Sequence, residues 1–144
     1  MKSPRQLVYE KAEEWAKKYL EKIEVEAGEY AANHKCHEIS RQKMDTNVSL
    51  VITLSFVPKS GVNVHFVNRV LDGNKESKYV DNTLGYLSSY NTYYKVAEFF
   101  LSDLTDYEHP LGMEYLLMEF KFAFIDLLFT EKEQQDLAVT VQHI

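Results

Sequence analysis

Residues 48–70, VSLVITLSFVPKSGVNVHFVNRV, decide the architecture. Two apolar runs, each alternating with a period of two, are joined by Pro58-Lys59-Ser60-Gly61. That pattern is the signature of a β-hairpin. Val48, Leu50, Ile52, Leu54 and Phe56 form a core face in the first run, and Val62, Val64 and Phe66 in the second. Facing Val57 with Val62 would mix the two faces along the whole pair. The pattern instead predicts a three-residue loop, Lys59-Ser60-Gly61, pairing Phe56 with Val64 and Leu54 with Phe66, with Gly61 at positive φ. Ser55 then faces His65, and Val51 faces Arg69. This second face mixes Val51, Val57 and Val67 with Ser49, Thr53, Asn63, His65 and Arg69. It reads as a ligand or partner surface, or as the wet side of a two-layer fold. A free strand edge here would suit pairing with a second copy.

Upstream, Ser3-Pro4-Arg5-Gln6 combines an N-cap serine, a proline at the first helical position and a glutamine that completes a capping box. Val8, Ala12, Trp15, Ala16, Tyr19, Leu20, Ile23, Ala27 and Tyr30 follow at three- and four-residue spacing. This stripe predicts a helix from Pro4 to about Ala32, with a continuation to Met44 left open. Downstream, Leu71 to Ser77 reads as a turn and Lys78 to Thr83 as a short third strand. Asn91 to Tyr107 reads as a helix capped by Asn91. Met113 to Phe129 is apolar on nearly all sides, which predicts a central buried helix. The alternation of Phe120, Phe122 and Phe124 keeps a strand open there. Thr130 to Glu133 is a second capping box, opening a last helix to about Gln142. The order predicts one α+β domain over residues 1–144. It has a long N-terminal helix, a small antiparallel hairpin or meander, and C-terminal helices packed on one face of the sheet.

A chain of 144 residues with 45% hydrophobic content is long and apolar enough to bury a core. Its 16 basic and 22 acidic residues leave a net charge of −6, which disfavours binding to a phosphate backbone through surplus cations. An acidic surface suits solubility, a basic protein partner or mimicry of nucleic acid, and charge alone does not choose among them. One cysteine excludes an intrachain disulfide and fits a reducing compartment. The charged, amphipathic N-terminus has no apolar leader, and no apolar run is long and uncharged enough to span a bilayer. A cytoplasmic protein without membrane attachment is expected.

Asn33 to Ile39, NHKCHEI, holds two histidines and the only cysteine. On a continuing helix His34 and His37 share a face, as two metal ligands would, while Cys36 points about 100° away. No second ligand pair stands elsewhere; His65, His109 and scattered carboxylates are the remaining donors. The stretch therefore reads as the polar end of the first helix, without metal or cofactor. A catalytic Cys36 would find nearby bases in His34 and His37. Catalytic partners usually come from separate segments, however, so sequence adjacency supports only a partly buried small side chain. Asp106, Glu108 and His109 form a second loop cluster, which also matches ordinary helix termination before proline. No P-loop, dinucleotide-binding glycine pattern or nucleophile elbow is present.

Tyr79, Tyr86, Tyr90, Tyr93 and Tyr94 crowd a segment rich in Asn and Ser, a composition used by recognition surfaces and equally by tyrosines that pack as amphipathic lids over a sheet, with base stacking a weaker third option. These tyrosines, with His65 and Arg69, are the candidate partner-binding residues. The functional expectation is a non-enzymatic protein-binding or regulatory protein, acidic and homodimeric, acting as an adaptor, chaperone or inhibitor. The alternative is a metal-dependent hydrolase or nuclease using His34, His37 and the Asp106–His109 loop.

Overall fold

The computed structural model of the chain describes residues 2–31, 35–71, 77–107 and 110–144. It is an α+β protein built on one six-stranded mixed sheet. Helix α1 spans Pro4–Tyr19 and begins with the predicted capping box: Ser3 Oγ accepts from the Gln6 N–H, and Gln6 Oε1 accepts from the Ser3 N–H. It stops well short of Ala32, because Leu20 turns extended. Strands β1 (Glu21–Ile23) and β2 (Val25–Ala27) follow. The helical count through Ile23 and Ala27 had overlaid a period-two pattern of Ile23, Val25 and Ala27. Pairing with distant strands decides between the two readings, and local propensity does not register that pairing.

Strands β3 (Val48–Val57) and β4 (Gly61–Val70) form the predicted hairpin. The register differs from the expected one by two residues: Phe56 pairs with Val62, Leu54 with Val64, Thr53 with His65 and Ser49 with Arg69. The three-residue loop starts one residue earlier, at Pro58. Lys59 takes the left-handed conformation at φ 65° and Gly61 sits at φ 140°. A slip of two keeps every side chain on its face, so the assignment of faces survives the correction.

Strand β5 (Lys78–Asp81) continues the meander, as predicted. The helix expected from Asn91 is instead strand β6 (Thr92–Phe99), lying between β1 and β3. Tyr93, Tyr94 and Val96 are aromatic and β-branched residues that suit a pleated position better than a helix. Helix α2 (Cys36–Gln42) is a separate short element rather than the end of α1. Helix α3 (Pro110–Leu128) settles the helix-or-strand question. It is not buried on all sides, since Leu111, Tyr115, Phe122 and Leu127 are exposed. Helix α4 (Glu131–Asp136) carries the predicted Thr130 cap but ends earlier than Gln142.

The strand order is β1-β6-β3-β4-β5-β2, with β2 parallel to β5 and the other pairs antiparallel. β1 and β2 stand at opposite edges of the sheet yet are separated in sequence by Glu24 alone. The sheet must therefore curl until its edges approach each other. At Gly28, just beyond β2, a Cβ would lie 2.4 Å from Asn82 Oδ1, so this close approach requires glycine.

The outer face of the curl carries Leu50, Ile52, Leu54, Phe56, Val62, Val64 and Phe66. They pack in one core with Val8, Ala12 and Ala16 of α1 and Met113, Phe124 and Ile125 of α3. The inner face holds a smaller apolar group of Ile23, Val51, Val67 and Tyr93. Ser49, Thr53, Ser55 and His65 are buried on it too, so the mixed face of the hairpin is not a solvated layer. Among the described residues, no helix is long and apolar enough to cross a membrane.

Candidate functional site

The pairing of β5 with β4 covers only Asn68 to Val70. Beyond it, the backbone of Phe66 is met by α2. Ser40 Oγ donates to the Phe66 carbonyl at 3.1 Å, and Asn68 Nδ2 donates to the carbonyls of Ser40 at 2.8 Å and Ser49 at 3.1 Å. These bonds fix α2 on the strand and bring its first residue, Cys36, against His65. The sulfur is 7% exposed with its residue, and His65 is similarly buried.

His65 Nε2 donates to Asp81 Oδ2 at 2.8 Å, and Asp81 is fully buried. With Nε2 committed to the carboxylate, Nδ1 is the ring nitrogen left for the thiol. Asp81 itself is held on all sides. Tyr93 Oη donates to Oδ2 at 2.6 Å, and the N–H groups of Thr83 and Leu84 donate to Oδ1 at 2.9 and 2.8 Å. The Asp81-Asn82-Thr83 sequence makes this local turn, in which an aspartate accepts from the backbone two and three residues on. Thr53 Oγ1 fixes the strand behind by donating to the His65 carbonyl at 2.7 Å.

The electrostatics follow from this geometry. Burial alone would raise the Cys36 thiol, but the charge of His65 and hydrogen bonds from His37, His65 and the Phe66 backbone pull it down to about 6. Burial alone would lower His65, and the Cys36 and Asp81 charges push it well above the usual imidazole range. Asp81, despite burial, is held down to about 2 by His65, the Leu84 N–H and Tyr93. Tyr93 is raised by burial and by the adjoining carboxylate. The Cys36, His65 and Asp81 shifts all run toward the charged form, each group favouring the ionisation of its neighbour. His37 is raised chiefly by the neighbouring Cys36, against the effect of burial, with smaller contributions from Glu114 and Glu38, and its Nδ1 is buried without a hydrogen-bond partner.

A second polar cluster lies on the same sheet. Glu98 accepts from Ser49 Oγ at 2.5 Å, Lys95 Nζ at 2.9 Å and Arg69 Nη1 at 2.9 Å, and Arg69 and Lys95 both lie over the Tyr79 ring. Every member has a partner, so the cluster ties β3, β4, β5 and β6 together.

The predicted site residues are dispersed by this arrangement. His65 enters the Cys36 centre, while Arg69 and Tyr79 belong to the Glu98 cluster. Tyr93 and Tyr94 are buried, the first on Asp81 and the second edge-on to Phe56. Tyr86 and Tyr90 are exposed, and Tyr86 stacks on Tyr30 with ring centroids 5.6 Å apart. His34, Glu108 and His109 lie outside the described residues. Among the described residues, no group of three His, Cys, Asp or Glu side chains is placed to hold a metal ion.

Asp81 escaped the sequence reading because an Asp before Asn-Thr looks like any turn. Its one available signal was that turn chemistry at the end of a strand, next to a His set inside an apolar strand. Compared with known proteins, the chain matches no family model, and no curated protein and no solved structure matches it significantly.

Proposed function

We propose that the chain is a thiol-dependent acyl-transfer enzyme, a hydrolase or transferase acting on an amide or thioester carbonyl. Cys36 is its nucleophile, His65 its acid and base, and Asp81 the positioning residue. What supports this reading is that three separate segments, α2, β4 and β5, supply a buried Cys36, a His65 whose charge acts on it, and an Asp81 2.8 Å from His65 Nε2. A nucleophile next to a base that a third group orients is the general arrangement of covalent acyl transfer.

In this scheme the Cys36 thiolate attacks the carbonyl carbon, forming a C–S bond, and the leaving group departs with the proton of His65. Water or an amine then attacks the thioester, His65 accepts its proton, and the thiolate is released. Asp81 keeps the imidazole in one tautomer throughout. A free thiolate of this kind suits a reducing compartment, so a cytoplasmic location belongs to the same proposal.

The test is acylation of the chain by activated aryl esters and thioesters, read by intact mass. One acyl adduct on Cys36, absent from Cys36→Ser and slowed in His65→Gln, is the expected result. No adduct, together with iodoacetamide alkylation no faster than that of a free thiol at neutral pH, would overturn it.

The second reading is the protein-binding or regulatory role expected from the sequence, favoured by the exposed Tyr30–Tyr86 stack and Tyr90. It predicts that Tyr86→Ala and Tyr90→Ala lose a retained partner while Cys36→Ser keeps it. The metal-dependent alternative has only His37 of its histidines among the described residues.

A further inference from the structure

We infer that the outer face of α3 is a self-association surface, on which two copies of this chain pair their α3 helices antiparallel about a two-fold axis. This inference is independent of the chemistry at Cys36. Leu111, Tyr115, Met118 and Phe122 follow one another at spacings of four, three and four, the rhythm of a helix–helix seam. At about 100° per residue they fall within a band roughly 60° wide. The opposite side of the helix is spent on the core, through Met113, Leu116, Phe124 and Leu128.

The band faces out. Tyr115 is 70% exposed, Leu111 58% and Phe122 54%, and Met118 is half-buried. Scattered single apolar residues on a surface need no explanation, but four on one stripe make a contiguous patch of the kind that marks an interface.

Charge selects the occupant. In an antiparallel pairing of this seam with itself, Tyr115 meets Met118 of the second copy and Leu111 meets Phe122 of the second copy. The same register sets Glu114 on one flank against Lys121 of the second copy, and symmetry repeats the pair. On the other flank Glu119 faces Gly112 of the second copy, so no like charges are opposed. A parallel pairing instead sets Glu114 against Glu119 of the second copy, opposing like charges, and leaves Lys121 only Asp126, whose carboxylate Gln134 already engages. The sequence therefore carries both the apolar seam and the flanking charges that an antiparallel self-pair requires. Glu114 also faces His37 across the α2–α3 contact, so its charge is shared between this flank and the neighbouring helix. Asp126, further along, is occupied by Gln134 Nε2 at 3.0 Å.

Sedimentation equilibrium of the full chain, over a concentration series reaching about 100 μM, tests this directly, since a small interface gives a weak dimer. The expected result is a monomer–dimer equilibrium. Phe122→Asp should weaken dimerisation by more than about tenfold, because it sets a carboxylate against Leu111 at both ends of the seam. Lys121→Glu should weaken it by opposing two carboxylates at both symmetry-related pairs of that flank, and adding Glu114→Lys to that variant should restore it. Far-UV circular dichroism of each variant, unchanged from the parent, separates lost association from lost folding. A chain that stays monomeric over the whole range would overturn the inference. So would a dimer indifferent to Phe122→Asp, or a double charge reversal that fails to restore pairing.

Discussion

The two faces of the curled sheet are equally dry and chemically opposite. The outer face is filled by Leu, Ile, Val and Phe against two helices, an arrangement that stabilises through area removed from water. The inner face sets a carboxylate, an imidazole, a phenol and several hydroxyls among three aliphatic side chains, Ile23, Val51 and Val67. Burying polar groups costs free energy unless each is paired, and an apolar filling of the same volume is often as stable or more so. Asp81 has four donors on its two oxygens, so the cost is met by pairing rather than by exposure. The contrast teaches that one face is held by area removed from water, whereas the other holds only while its buried charges stay paired.

The sharpest way to break the comparison is to damage each face in turn. Asp81→Ala should cost about 3–5 kcal/mol, because it strands a buried imidazolium and leaves two N–H groups and a phenol without an acceptor. It should also abolish the fast alkylation of Cys36. Ile52→Ala, on the outer face, should cost about 2–5 kcal/mol through transfer and cavity terms. Its alkylation profile should stay that of the parent. Urea unfolding and iodoacetamide kinetics on the same two proteins check both statements.

A second test concerns the thiol alone. Alkylation of the parent should rise with pH through a midpoint at about 6, as the thiolate forms. In His65→Gln the cation is gone, so the midpoint should move up toward roughly 8.5, the value of a free cysteine. A midpoint unchanged in His65→Gln would remove His65 from the centre.

Acid dependence sharpens the comparison further. Asp81 is depressed to about 2 in the folded chain, so its contribution to stability is complete above the ordinary aspartate range near roughly 4. That contribution is lost as pH falls from there through about 2. Urea midpoints measured between those limits should fall more steeply for the parent than for Asp81→Asn. Tyr93→Phe should be the mildest change, about 1–2 kcal/mol in the same unfolding assay, because Asp81 keeps its other three donors.

How much of this was legible follows from the range over which each signal acts. The Ser3 and Thr130 capping boxes and the β3–β4 alternation are local patterns, and each stands where it was read. Ile23 to Ala27 and Thr92 to Phe99 were read as helix because each fits a helical count in isolation. Their strand state depends on partners far along the chain: Tyr93 for Ile23, and Tyr79 for Val25. The centre was hidden for the same reason. Cys36 was weighed against its neighbours His34 and His37, while its oriented partner is His65 on another element. Asp81 gave no signal beyond a turn. His65 reads as part of a mixed outward face and Tyr93 as either an interface or a lid over the sheet, because nothing local says that the sheet curls around them.

That curl has a consequence for the order in which the chain can fold. Glu24 is the one residue between two strands at opposite rims of the sheet. Glu21 must wait for Lys95, and Val25 for Tyr79, before either strand has a place to pair. The β3–β4 hairpin needs only its own turn and forms early, whereas the clasp at Glu24 closes over long loops and comes last.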